Sequence, residues 1–160
     1  MPRLLGLLLL LGCSAHAETF EGTVIRVVDG DSLIVELNHQ PVRVRLKEID
    51  APELKQPFGK RSQESLSALC ENKVARVTWD EKDRNKRTLG RVWCGEIDAN
   101  AEQVRRGLAW VFDRYVKDRS LYTLQETARS NRFGLWTDAA PLPPWEWRRA
   151  KGTLEYRARK

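Results

Sequence analysis

Five residues carry side chains that could act together on a phosphodiester. Asp31 lies in V-V-D-G-D-S, Asp50 and Glu53 lie in R-L-K-E-I-D-A-P-E, and Arg45 and Arg91 stand where the flanking residues read as strands. Carboxylates that converge on a hard divalent cation can activate a water, while planar guanidinium groups offset the charge that builds on phosphate oxygens. Singly, each has a duller meaning: Asp-Gly is first of all a turn, and an arginine on a strand usually faces solvent. Their joint presence points to phosphodiester hydrolysis, provided that the fold brings them to one place.

The elements that must do so follow from periodicity and turn chemistry. Phe20 to Val28 and Leu33 to Leu37 are rich in Val, Ile and Leu, with the hairpin signal Asp29-Gly30 between them. A turn at 38–41 leads into Val42-Arg43-Val44-Arg45-Leu46, whose alternation sends the apolar side chains to one face and both arginines to the other. Ala51-Pro52 ends this meander, since proline has no N–H to give a ladder. A helix is expected from about Lys60 to Cys70, with Leu66, Leu69 and Cys70 on one face. Val74 to Trp79 and Leu89 to Ile97 read as strands, with Asp80 to Arg87 as a charged loop. Asn100 is a candidate cap for a second helix ending near Gly107, and Ser120 for a third that runs to Asn131. Beyond it, P-L-P-P-W-E-W-R-R reads as extended chain that docks through its tryptophans. Five strands and three helices suggest an α+β fold built on an OB-type β-barrel, although periodicity alone leaves a sandwich open.

The amino terminus reads as a targeting segment. Met-Pro-Arg, an apolar run from Leu4 to Leu11 and Ala15-His16-Ala17 have the pattern of a signal peptide cut after residue 17. Leu10-Leu11-Gly12-Cys13 also resembles a lipoprotein box, in which Cys13 would carry a lipid anchor. Either route takes the protein out of the cytoplasm, to a secreted, periplasmic or envelope-anchored location. The run is too short for a membrane-spanning helix of about 20 residues. Residues 18–136 are expected to form one domain, followed by a basic tail over 137–160.

The net charge of +6 is concentrated in that tail, where Arg148 to Lys160 hold six basic residues and one acid. A nucleic-acid-binding argument from composition therefore rests on the tail rather than on the domain. Cys70 and Cys94, outside a reducing compartment, are expected to form a disulfide joining helix to sheet, with two separate buried thiols as the alternative.

V-V-D-G-D-S, V-R-L-K-E-I-D-A-P-E, L-G-R-V and V-R-R-G-L-A-W-V, in this order, resemble the signatures of the thermonuclease (staphylococcal nuclease) family over about Thr19 to Trp136. The resemblance implies a five-stranded barrel with three helices, and a Ca2+-dependent endonuclease acting on DNA, RNA or both and leaving 3′-phosphate ends. It implies Asp31, Asp50 and the backbone carbonyl of Ala51 as calcium ligands. Glu53 takes the part of the residue that positions or deprotonates water, and Arg45 and Arg91 that of the pair gripping the phosphate. Two departures stand out: Leu89 stands where a typical member has tyrosine, which bears on substrate grip, and Ala51 where it has threonine, which changes nothing if only its carbonyl is used. Tyr115 is a candidate base-stacking surface, whereas Trp110 and Phe112 are expected in the core. Glu48 is expected on a solvent-facing strand position, or else as an outer-shell ligand. The rival reading is a non-catalytic module, nucleic-acid- or protein-binding, of the cell envelope. A monomer is expected.

Overall fold

The computed structural model describes residues 17–158, with side chains to residue 152. The expected signal peptide, up to residue 16, and the alternative lipid-anchor site at Cys13 lie outside the described residues. Five strands close into a barrel: β1 (Glu18–Asp29), β2 (Ser32–Leu37), β3 (Gln40–Leu46), β5 (Val74–Lys82) and β6 (Thr88–Cys94). One valine from each strand, Val24, Val35, Val44, Val77 and Val92, is fully buried at its centre. Those valines are the inward half of the alternation, and branched side chains suit the pleat they occupy.

The β1–β2, β2–β3, β1–β5 and β5–β6 pairings are antiparallel, but the barrel closes through a parallel contact in which Val44, Arg45 and Leu46 face Thr88, Leu89 and Gly90. The twelve-residue β1 serves two neighbours, pairing with β5 in its first half and with β2 in its second, with register shifts that bend it round the barrel. A two-stranded appendage, β4 (Ile49–Asp50) with β8 (Trp110–Val111), sets Asp50 opposite Trp110. The strand expected to run to Ile97 ends at Cys94: the chain turns at Gly95-Glu96, and a short β7 (Ile97–Asp98) folds back antiparallel on the end of β6, Cys94 facing Ile97.

Among the described residues four α-helices pack around the barrel: α1 (Gly59–Cys70), α2 (Ala99–Arg105), α3 (Ser120–Ser130) and α4 (Pro144–Ala158). Leu66 of α1, Val104 of α2 and Leu121 of α3 are buried against it. Cys70 at the end of α1 and Cys94 at the end of β6 form the expected disulfide, with their Cα atoms 5.2 Å apart.

Four local expectations are corrected. Residues 144–158 are a helix rather than an extended tail; Pro144 opens it, where a missing N–H costs nothing because that donor has no intrahelical acceptor. The strand from Val74 continues to Lys82, so the charged loop shortens to a turn in which Asp83 accepts the N–H groups of Asn85 and Arg87. Asp98, not Asn100, caps α2, accepting from the N–H of Ala101. Asn100 is instead fully buried, its amide satisfying Val92 N–H at 3.0 Å and the carbonyl of Lys47 at 2.8 Å. At α3 the capping acceptor is Asp118, which takes both the N–H and the hydroxyl of Ser120.

Candidate functional site

The Asp29-Gly30 turn is built into the molecule rather than left at its surface. A Cβ at Gly30 would collide with Ser62 of α1, so only glycine lets the hairpin tip approach the helix. The buried amide of Gln103 on α2 donates to the carbonyls of Gly30 and Ser62, at 2.8 and 3.0 Å. In the structure the turn residues are Gly30 and Asp31, between the paired Asp29 and Ser32, and Asp31 is 5% exposed. Its Oδ2 accepts the backbone N–H of Ala51 at 2.7 Å, and its Oδ1 the hydroxyl of Ser32 at 3.0 Å.

Asp50 reaches the same place from β4 and is 1% exposed. Arg45 joins the two acids: one of its terminal nitrogens lies 3.3 Å from Asp31 and 2.9 Å from Asp50, while the other donates to the carbonyls of Leu46 and Ile49. Burial would weaken the proton affinity of Arg45, yet the charges of Asp31 and Asp50 raise it overall, so the guanidinium is fixed in its charged form. Burial raises the pKa of Asp50, with a hydrogen bond from Arg148 opposing. Asp29, just before the turn, is pushed up to about 6 by burial and by the charge of Asp31.

These groups line one cavity of about 930 Å³, together with Ala51, Glu53, Leu89 and Tyr115. Tyr115 is half-exposed, with the Arg114 guanidinium 5.5 Å from its ring centre. Trp110 and Phe112 are only partly buried and hold α4 in place: Trp145 stacks on Phe112 with centroids 5.4 Å apart, and Trp110 packs between Trp136 and Trp145.

Arg91 is placed differently. It is tied to Asp98 at 2.6 Å, Asp118 at 3.0 Å and Glu48 at 3.3 Å, and it is not among the residues that line the cavity. Burial alone would lower its pKa, but the hydrogen bond and charge of Asp98 raise it. Glu48, expected toward solvent, is 6% exposed and accepts the N–H groups of Lys117 and Asp118 as well as Arg91. It also lines the cavity, so Glu48 links the Arg91 network to the carboxylate site.

Two residues at the site had gone unassigned. Asp29 is legible as the first acid of D-G-D, where the local signal is a turn and no more. Arg148 was not legible: it reaches Asp50 and Glu53 across more than ninety residues. Its guanidinium lies 2.7 Å from each carboxylate. Burial opposes its charge, and the hydrogen bonds to Asp50 and Glu53 outweigh that effect.

Among the described residues no group of three or more His, Cys, Asp and Glu side chains forms a ready cage for a metal. The donors that do converge, Asp31 and Asp50, are buried, hard and anionic, with neither sulfur nor imidazole beside them. That set fits a calcium-type cation, which completes six to eight oxygen ligands with backbone carbonyls, waters and substrate oxygens. Among the described residues no helix is long and apolar enough to cross a membrane.

Residues 43–138 match the family profile described as "Staphylococcal nuclease homologue". An "Uncharacterized endonuclease" of Escherichia coli O157:H7 is 44% identical over 131 residues, which is 81% of this chain and 86% of that protein. A "Micrococcal nuclease" of Shigella flexneri is 42% identical over 142 residues, 82% of each chain. The "Staphylococcal-like nuclease CAN1" of Arabidopsis thaliana is 37% identical over 109 residues, 68% of this chain and 34% of that longer protein.

Proposed function

The chain belongs to the staphylococcal nuclease family, and from that premise we infer that it is an endonuclease that hydrolyses phosphodiester bonds of DNA or RNA with the help of calcium and leaves 3′-phosphate ends. The observation that carries this reading is the meeting of Asp31, Asp50, Arg45 and Glu53 at one cavity wide enough for a nucleotide.

Asp31, Asp50 and the carbonyl of Ala51 would hold the cation, which supplies charge to a phosphate oxygen and lowers the pKa of a nearby water. Glu53 orients the attacking water and accepts its proton as the new oxygen–phosphorus bond forms. The bond to the 5′ oxygen breaks, and that oxygen takes a proton from solvent and leaves as a hydroxyl, so the phosphate stays on the 3′ side. Arg45 sets positive charge against the phosphate oxygens as phosphorus becomes five-coordinate. Arg91 holds the Glu48 carboxylate in the cavity wall, and Tyr115 offers a ring for base stacking. With the expected export signal, the disulfide supports action outside the reducing cytoplasm.

Incubating the purified protein with single- and double-stranded DNA and RNA, with calcium chloride or with a chelator, tests the reading. Cleavage in calcium, abolished by chelation, with products that phosphatase treatment makes extendable at the 3′ end, is the expected result. Binding without cleavage under every condition would leave a non-catalytic module.

A further inference from the structure

The last helix puts a cation where the proposed function wants another. Arg148 donates through Nη2 to Asp50 Oδ2 at 2.7 Å, and through Nη1 to Glu53 Oε1 at 2.7 Å and Asp50 Oδ1 at 3.2 Å. Both oxygens of Asp50 are therefore engaged, one by Arg148 alone and the other by Arg148 and Arg45. The carboxylate oxygen that would bind a metal and the one that would take a proton are satisfied by the same fork.

This placement does not rest on a long side chain alone. Upstream of Arg148, Trp145 is stacked on Phe112 and set edge-on to Trp110, and Gln56 donates to the carbonyl of Leu142 at 2.6 Å. Helix α4 is thus docked by contacts that do not involve the acids, and the docking aims Arg148 at them. The Arg148 side chain is 43% exposed, so leaving the acids needs no repacking. A second cavity of about 290 Å³, lined in part by Lys55, Trp147 and Lys151, adjoins it and gives the side chain room.

We propose that Arg148 is a built-in competitor for the divalent cation, occupying Asp50 and Glu53 in the cation-free protein and displaced when the cation binds. The inference rests on the reading of this site as a cation-dependent nuclease. Its consequence is that the C-terminal helix sets the cation concentration at which the site assembles. Competition of this kind is reciprocal: the factor by which Arg148 weakens cation binding is the factor by which the bound cation weakens the hold of Arg148 on the acids. Once released, the guanidinium stays tethered beside the cavity, where an entering phosphate can take it up.

Calorimetric titration of calcium chloride into the full chain tests the proposal, comparing wild type with Arg148→Ala, Arg148→Lys and Arg84→Ala. Arg84 is an exposed residue of the cavity rim and controls for loss of one positive charge. Arg148→Ala is expected to bind calcium about tenfold tighter or more, the scale on which a contacting charge shifts a proton equilibrium. Arg148→Lys should fall between, having no fork with which to bridge two acids. Arg84→Ala should change affinity by less than about twofold at physiological salt, since exposed charges away from contact are screened. Thermal melts establish that each variant is folded. In the wild type, calcium should also shift those guanidinium proton resonances that vanish in Arg148→Ala. Equal or weaker binding by Arg148→Ala overturns the competition while leaving the cation site standing, and so does an equal gain in Arg84→Ala. No calcium binding by any of the four proteins overturns both the competition and the cation site.

Discussion

The backbone N–H of Ala51 donates to Oδ2 of Asp31 across 2.7 Å, tying the strand end that carries Asp50 to the hairpin that carries Asp31. Asp31 therefore has two duties, one through charge and one through an accepted hydrogen bond. Asp31→Asn separates them, because the amide oxygen can keep the bond to Ala51 while the charge is lost. Calcium affinity is expected to fall at least about tenfold, and cleavage with it, while the melting temperature moves by no more than a few degrees. Calorimetry and thermal melts check both halves; unchanged affinity would remove Asp31 from the cation site.

Glu53 lies on the loop after Pro52, outside the buried pair, and its carboxylate meets Arg148. In Glu53→Gln the donors proposed for the cation are untouched, but the side chain can no longer accept a proton. Turnover should drop by about 10²- to 10⁴-fold without loss of calcium affinity. Single-turnover cleavage of a labelled oligonucleotide at saturating calcium measures this, and wild-type turnover would dismiss Glu53 from the chemistry.

Arg91 is shared among Asp98, Asp118 and Glu48, so it holds structure as well as charge. Arg91→Lys keeps the charge and loses the planar fork that meets several acceptors at once. The expected result is a kcat that falls more than KM rises, with a stability loss of about 1–2 kcal/mol from the loosened network. A stability loss with unchanged kcat would make Arg91 a structural residue only.

How far the sequence could be read depends on how local each signal is. The β1–β2 hairpin, the inward valines and the α1 face were legible because alternation and Asp-Gly turn chemistry act within a few residues. The parallel closure of β3 on β6 was not, since Arg45 and Leu89 meet through a pairing that no local pattern encodes. Asn100 was misread because Asp98 and Asn100 are both capping types two residues apart; the choice was made by the buried N–H of Val92, which needs the Asn100 side chain. Helix α4 was hidden by the prolines before it, and with it Arg148. The order of the four motifs points to Asp31, Asp50, Arg45 and Glu53, which the fold brings to one cavity, whereas no local pattern shows that Arg91 pairs with Asp98, Asp118 and an inward-turned Glu48.

The disulfide joins the end of α1 to the end of β6 with a sequence separation of 24. Closing a loop of that size removes freedom from the unfolded chain worth about 3 kcal/mol. The double variant Cys70→Ala/Cys94→Ala should lose about that much in urea denaturation while the catalytic groups stay in place. Reduction of the wild type under the same conditions should give a similar loss, and no loss in either would mean that the bridge does not constrain the unfolded chain.

Asp83 closes the β5–β6 turn by accepting the N–H groups of Asn85 and Arg87 and the Arg87 guanidinium at 2.7 Å. Burial pushes its pKa up, but the hydrogen bond from the Arg87 backbone, together with the Arg87 side chain, holds it below the ordinary aspartate value. The folded chain thus takes up this proton less readily than the unfolded one. The stabilisation is present above the unfolded value of about 3.9 and is lost as pH falls through the lower folded one. Solvent limits the ion-pair part to at most about 1 kcal/mol. Asp83→Asn should therefore be less stable than wild type at pH 7, with the gap narrowing as urea denaturation is repeated from pH 5 toward pH 2. A gap that persists undiminished in acid would assign the effect to turn geometry rather than to the carboxylate charge.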